Sequence, residues 1–385
     1  MGNKNILFIV SDFYSGGAQR ETYELDLELK KRGVELEILC LHSLNSNIYF
    51  KDHYFPEHHR IGTKIHFLQE YKFSLQSKNK LLNSILRKLF RRIIHYYDTK
   101  KISNFLKEYH EVFFMGEFVY QYLSNDLTTG TLPTINIFTM CSRFQGAYYR
   151  KFDPNNKYYF IDGFDTKEQV LFEFEGFNNY LHKFFPLSLA ITQKYKMWVF
   201  NHTSTKKIGI FTRLSPDKPL DPFFYSFHIL LTKIKNVELH VFGAGNPTEA
   251  GYTRYLDHLK INTNVFFRGH QQNIKESVIK EEIDLVWFQG YLNRPAGYAG
   301  LDIALTGTPQ LFWDFSMGSN LDANKLDSVY PHFNDILKFT EASQLVLNSE
   351  EFALHLSNIQ YNNVLESKDM SRNFEMIKDL FFNNL

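Results

Sequence analysis

The sequence predicts an α/β protein of two domains, each built on a doubly wound parallel sheet. Three observations predict it. Residues 5–41 read strand, helix, strand, a βαβ unit that makes the first sheet parallel. Apolar runs at 207–212, 237–242, 264–268, 284–289 and 309–313 alternate with helical segments, as a second sheet of the same kind requires. A chain of 385 residues is also longer than one hydrophobic core usually serves.

The elements follow in chain order. The run Asn5 to Val10 leads into a loop, Ser11 to Arg20, and a helix that ends at Arg32 before Gly33. Gly16 and Gly17 open that helix, where unpaired backbone N–H groups favour anions. A second strand spans Val34 to Leu41, and residues 43–76 have little pattern. His58 and His59 are adjacent, so they diverge on a helix or a strand and make a poor metal pair. Lys78 to Lys107 carries nine Lys or Arg against Asp98 alone. Leu81, Ile85, Leu89 and Ile93 recur there at helical spacing. Such a helix either lies on an anionic membrane surface or packs with a solvated basic face.

Val112 to Met115 and Thr134 to Phe138 extend the first sheet. The Tyr- and Phe-rich stretch Tyr148 to Phe185, with Asp162, Asp165, Glu173 and Glu175, reads as a partly buried loop, although such composition also suits sugar binding. Phe185 to Phe200 forms the last element before a polar linker, 201–206. The expected domains are therefore 1–203 and 204–385, with 331–385 helical.

Composition excludes several classes. A hydrophobic share of 44% with 22% charged residues is ordinary globular usage, and a net charge of +1 argues against a nucleic-acid partner. Two cysteines, Cys40 and Cys141, are too few for a disulfide framework, which fits a reducing, cytoplasmic setting. No run of about 18 apolar residues and no secretory leader pattern is present. Neither H-E-x-x-H nor D-x-D occurs, so no metal or cofactor is expected.

The chemistry concentrates at residues 207–222. An apolar strand ends in Thr212-Arg213-Leu214-Ser215-Pro216-Asp217-Lys218-Pro219, and a helical segment follows. Open α/β sheets bind ligands outside the carboxyl ends of their strands, so Arg213 and Lys218 are candidate phosphate clamps.

From Lys206 to about Met317 the chain resembles the C-terminal domain of the family 4 retaining glycosyltransferases, proteins of the GT-B fold. TRLSPDKP is similar to that family's G-R-L-x-P-x-K-G. Gly243-Ala244-Gly245 follows a strand as its G-x-G does, and Val265 to Gly269 matches V-x-F-x-G. Arg294-Pro295-Ala296-Gly297 with Asp302 to Pro309 occupies the place of E-G-F-G-x-x-x-x-E-A-x-A-x-G-x-P. Gly16 to Arg20 is similar to the family's N-terminal G-G-A-E/Q-R.

The resemblance implies two Rossmann-like domains facing a cleft, the first on the acceptor side and the second holding a nucleotide-diphosphate sugar, with the C-terminal helices returning to the first domain. It implies transfer of the sugar, with retention, to a glycan or lipid-linked glycan in bacterial surface polysaccharide synthesis. Arg213 and Lys218 would hold the diphosphate. Gly16, Gly17, Gly243, Gly269, Arg294, Gly297 and Asp302 would line the donor site, with Asp302 accepting from ribose. Two departures stand out. Arg294 takes the place of the family's first Glu, and the stretch Ile137 to Arg143 lacks a His found there in the family. Either the donor carries an acidic sugar that a guanidinium grips, or catalysis is weakened. A catalytically degenerate scaffold of a polysaccharide-assembly complex is the alternative.

Overall fold

The computed structural model describes residues 5–46, 51–72, 91–124, 127, 132, 134–140, 155–163, 181–192, 196–203, 205–216, 218–316 and 320–382. The chain forms two units. One comprises Met1–Ala190 with Lys368–Leu385, and the other Ile191–Ser367.

The first unit holds a parallel seven-stranded sheet. Its strands are β1 (Ile6–Val10), β2 (Leu36–Cys40), β3 (Lys64–Phe67), β4 (Glu111–Met115), β5 (Asn136–Met140), β6 (Lys157–Asp162) and β7 (Leu181–Pro186), in the order β3-β2-β1-β4-β5-β6-β7. Helices α1 (Gly17–Lys31), α2 (Tyr54–Arg60), α3 (Arg91–Leu106) and α4 (Glu117–Ser124) flank it. Two expectations change here. Residues 43–76 contain α2 and β3, which are short, and β3 pairs on one side only and carries polar residues that mask its alternation. The stretch expected to be a loop contains β6, whose Tyr158, Tyr159, Phe160 and Ile161 are all buried. A parallel strand covered on both faces reads as an unbroken apolar run, here written in aromatics.

Helix α1 buries acids as well as Leu25 and Leu29: Glu24, Asp26 and Glu28 are almost wholly enclosed. Buried carboxylates require partners. Asp26 accepts from Thr63 and lies 2.6 Å from His58 Nδ1; Glu24 meets Arg20 and accepts from the Ala190 N–H at 2.7 Å. Glu28 holds Arg32 at 2.8 Å and accepts from Ser371 Oγ at 3.2 Å. Arg32 in turn reaches Glu375 at 2.6 Å, the Ser371 carbonyl at 2.9 Å and the face of Phe374. These contacts fix residues 368–382 onto the first unit. Leu189 seals the junction by pairing with Lys368 and Met370 through two backbone bonds of 3.0 Å.

The second unit holds a parallel six-stranded sheet: β8 (Lys206–Phe211), β9 (Val237–Phe242), β10 (Val265–Gly269), β11 (Leu285–Gly290), β12 (Gln310–Asp314) and β13 (His332–Phe333), in the order β10-β9-β8-β11-β12-β13. Helices α5 (Asp221–Lys233), α6 (Thr253–Leu259), α7 (Ile274–Lys280), α8 (Gly297–Thr306), α9 (Ile336–Asn348) and α10 (Glu350–Ser367) complete it. Phe223 of α5, Trp287 of β11 and Phe339 of α9 meet in its core, and the Trp287 indole donates to Ser343 Oγ at 3.0 Å. The division falls at Ala190/Ile191 rather than 203/204, because Met197 and Trp198 N–H groups both donate to the Thr306 carbonyl and Trp198 is buried in this core. The final residues, 368–385, count with the first unit, in line with the expected return of the C-terminal helices to it.

Candidate functional site

In the second sheet β8 pairs with β9 on one side and β11 on the other. The connections out of β8 and β11 run to opposite sides, so their loops flank a crevice at the carboxyl edge, the switch point where such sheets bind ligands. Arg213 and Lys218 lie on the first of these loops, Arg294 and Gly297 on the second.

The β8 loop is pinned along its length. Thr212 N–H donates to Phe242 O at 2.9 Å and Leu214 N–H to Ala244 O at 2.8 Å, so the loop runs beside Gly243-Ala244-Gly245. A β-carbon on Gly243 would overlap the Thr212 carbonyl oxygen, and one on Gly245 the Leu214 carbonyl. Gly245 also has a φ of 122°, which suits glycine alone. These glycines let two backbones touch. The Tyr252 hydroxyl lies 2.9 Å from the Ser215 carbonyl and 2.6 Å from that of Lys218, while Gln289 Nε2 donates to Pro219 O at 2.7 Å. The backbone under both cations is thus fixed from three neighbouring elements. Arg213 is exposed and Lys218 half-buried; among the described residues the Lys218 ammonium has no hydrogen-bond or ion-pair partner.

The β11 loop is a tight reversal. Tyr291 and Arg294 form a bridge, with Leu292 at φ 51° and Asn293 at φ 53° between them, the pattern of a type I′ turn. Leucine there costs about 1–2 kcal/mol relative to a right-handed conformation. The turn lays the Arg294 guanidinium 5.0 Å from the Tyr291 ring centroid. Asn293 Oδ1 accepts from Asn320 at 2.9 Å, Asn320 also donates to Asp314, and Asp314 accepts the Ser316 N–H at 2.8 Å.

Beneath this network His332 is wholly buried against Gly290, its ring stacked 4.7 Å from Phe312. Nδ1–H donates to the Tyr330 carbonyl at 2.7 Å, which leaves Nε2 as an acceptor without a partner among the described residues. Burial pushes the imidazole down to about 4; the Tyr330 carbonyl and Asp314 oppose the shift and Arg294 adds to it. His332 is therefore neutral near pH 7.

The remaining expected residues sit as follows. Gly269 ends β10 at φ 72° with open space where a side chain would project, and its carbonyl accepts the Gly243 N–H at 2.9 Å. The Gly297 N–H, expected to face a ligand, donates to the Pro295 carbonyl at 2.8 Å. Asp302 stands in the second turn of α8, mostly buried, 3.9 Å from Lys275 Nζ of α7. In the first unit Gly16 caps α1 and Gly17 begins it, both exposed, behind a loop in which Asp12 accepts from Tyr14 N–H at 3.0 Å and Gln19 Nε2 at 2.7 Å. Of the basic stretch 78–107, residues 78–90 lie outside the described residues. Its remainder, 91–107, contains all of α3 and exposes Ile93, Tyr96 and Tyr97 beside Lys100 and Lys101.

Sequence reasoning missed Tyr252, Gln289, Asp314, Asn320 and His332. None falls in a recognisable spacing. Their common signal is position, since all but Tyr252 and Asn320 lie at or within two residues of a strand's carboxyl end or within β13.

Neither a protein-family model nor a curated protein matches the sequence. Solved structures do. HepE of Anabaena, in complex with UDP and glucose, is 11% identical, covers 98% of each chain and has a TM-score of 0.66. A TarM variant of S. aureus, in complex with fondaparinux, α-GlcNAc-glycerol and UDP, is 12% identical, covers 99% of this chain and 100% of its own, with a TM-score of 0.64. A glycosyltransferase of Rickettsia africae is 12% identical over the whole of both chains, with a TM-score of 0.61. At such identities the likeness speaks for architecture, and the chain has the GT-B fold.

Proposed function

We propose that the chain is a retaining glycosyltransferase of the family 4 type, moving a sugar from a nucleotide-diphosphate donor to a hydroxyl of a glycan or lipid-linked glycan. The observation that carries this reading is the pair Arg213 and Lys218 on a loop whose backbone is held from β9, β11 and the residue before α6. Cations fixed in advance stabilise charge developing on a leaving diphosphate without reorganising as it forms. Arg213 would fork onto phosphate oxygens and Lys218 would supply a point charge, so the reaction needs no metal. Asp302 would accept from the ribose, and the open space at Gly269 would admit the base. HepE and TarM, solved with UDP, support a nucleotide-sugar donor here.

The setting proposed is bacterial surface polysaccharide synthesis in the cytoplasm. Among the described residues no helix is long and apolar enough to cross a membrane. The basic α3 region with its exposed tyrosines would dock on an anionic membrane surface. Arg294 favours a second reading, a GT-B scaffold without turnover, because it puts a cation where the family it resembles has a carboxylate.

A thermal-shift panel of UDP, GDP, TDP and their sugars tests both. A ligand at a hundred times its Kd adds about 2.7 kcal/mol to the folded state. A shift with one nucleotide, lost in Arg213→Ala, supports the donor site; no shift with any sinks it. A shift without turnover favours the scaffold.

A further inference from the structure

The first unit contains a cavity of about 540 Å³ at the amino ends of β1, β2 and β3, the edge opposite the loop that carries Gly16 and Gly17. Its size is that of a small-molecule site, which typically spans about 300–1,000 Å³. Along its floor runs a chain of hydrogen bonds. His66 Nε2 lies 2.6 Å from Glu37 Oε2, and the Tyr109 hydroxyl donates to the same oxygen at 2.6 Å. With Nε2 donating, His66 Nδ1 accepts from the Tyr71 hydroxyl at 3.1 Å. Lys64 Nζ donates to Glu37 Oε1, also at 3.1 Å. Burial pushes the Glu37 carboxyl up, yet the bonds from Tyr109, His66 and Lys64 outweigh it and hold the group below its ordinary range. The Glu37 carboxylate is thus charged and fixed in direction before any ligand arrives.

Aromatic rings form one wall. Phe105 lies 4.4 Å from the Tyr71 centroid and 5.2 Å from that of Tyr109. Exposed Asn104 stands on the rim. The lining carries four carboxylates, Glu35, Glu37, Glu70 and Glu108, against the ammonium groups of Lys64 and Lys101. A ring wall packs the C–H face of a pyranose, while a locked carboxylate and an amide address its hydroxyls. Glu35 is paired with Lys30, and Glu37, Glu70 and Glu108 still outnumber Lys64 and Lys101, so the charge balance disfavours phosphates and uronates.

We infer that this cavity is a second saccharide site, selective for an uncharged or amine-bearing pyranose unit. It lies wholly in the first unit and stands or falls apart from the transferase reading. A glycan held here would be retained by the protein independently of any nucleotide.

The test uses the full chain labelled at isoleucine δ1-methyl groups, since Ile6 lines the cavity. The probes are methyl β-D-glucopyranoside, methyl β-D-glucosaminide and methyl β-D-glucuronide, one ring at three charges. The Ile6 methyl resonance should shift saturably with the first two and bind the glucuronide at least about tenfold more weakly. Asn104→Trp, at an exposed position, should abolish the Ile6 response with an unchanged melting temperature. Glu70→Lys with Glu108→Lys should erase the discrimination against the glucuronide. An Ile6 resonance that no probe moves, or that moves equally for all three or equally in Asn104→Trp, overturns the inference. A nucleotide panel without effect leaves it untouched.

Discussion

The two sheets share one topology, with a first strand flanked on both sides and loops gathered at the carboxyl edge, but they equip that edge differently. In the second unit the edge presents Arg213, Lys218 and Arg294, with its only described carboxylate at a strand end, Asp314, buried and held by Ser316 and Asn320. In the first unit the corresponding loop presents Ser11, Asp12, Tyr14 and Gln19, joined to one another by hydrogen bonds. One edge presents cations and the other a hydrogen-bonded set of hydroxyl, carboxylate and amide groups. The helices that follow differ in the same sense: α5 buries Phe223, Phe224, Phe227 and Leu230, whereas α1 buries four carboxylates, those of Glu21, Glu24, Asp26 and Glu28. Topology fixes where a ligand goes, and loop chemistry decides which one.

The comparison breaks if the cations do not matter. Lys218→Ala should cost roughly 2–4 kcal/mol of transition-state stabilisation, as loss of one preorganised donor does, read as kcat in a transfer assay with the folded fraction checked. A loss under tenfold would remove the charge of the second edge from the mechanism.

Acid should also separate the edges. His332 has a folded pKa near 4 against an ordinary 6.5. The folded state therefore binds fewer protons than the unfolded chain in between, so the contribution of His332 is present above pH 6.5 and lost as pH falls toward 4. The loss is on the order of 3 kcal/mol. Denaturant titrations from pH 7 to 4 should show the second unit weakening, and His332→Gln should flatten that slope. An unchanged slope assigns the acid sensitivity elsewhere.

Glycines sharpen the contrast at smaller scale. Gly243→Ala forces the β8 and β9 loops apart and should cost about 1–3 kcal/mol, with nucleotide affinity falling alongside, measured by urea unfolding and calorimetric titration. Gly16→Ala, at φ −154°, presses only on the far end of the Gln19 side chain, which can give way at the expense of its bond to Asp12, and should cost under about 1 kcal/mol. Equal costs would mean that the two loops are built alike.

Strands β8 to β12 were legible because each is an apolar run bounded by Gly, Pro or charge, and predicted and observed limits differ by one residue at most; the two-residue β13 falls in the stretch 331–385 that reads as helical, because it is too short to show a period. The cations were legible because a strand delivers them. Tyr252 was not, since its task is to hold two carbonyls 34 and 37 residues away, and no local pattern encodes that. His332 reads in sequence as one histidine among fifteen, and only burial makes it a neutral acceptor beneath Arg294. In β6 the misreading was physical: aromatic residues serve a buried strand and a sugar-facing loop equally well until their exposure is known.

The pairing of Leu189 with Lys368 and Met370 makes the second unit an insertion between two points of the first that are already bonded to each other. A chain spliced from Ala190 into Lys368 would have almost no distance to span. The second unit is thus a cassette: in the order of synthesis it is complete before the residues that finish its host, and a different cassette with ends equally close could be spliced in at the same point of the chain.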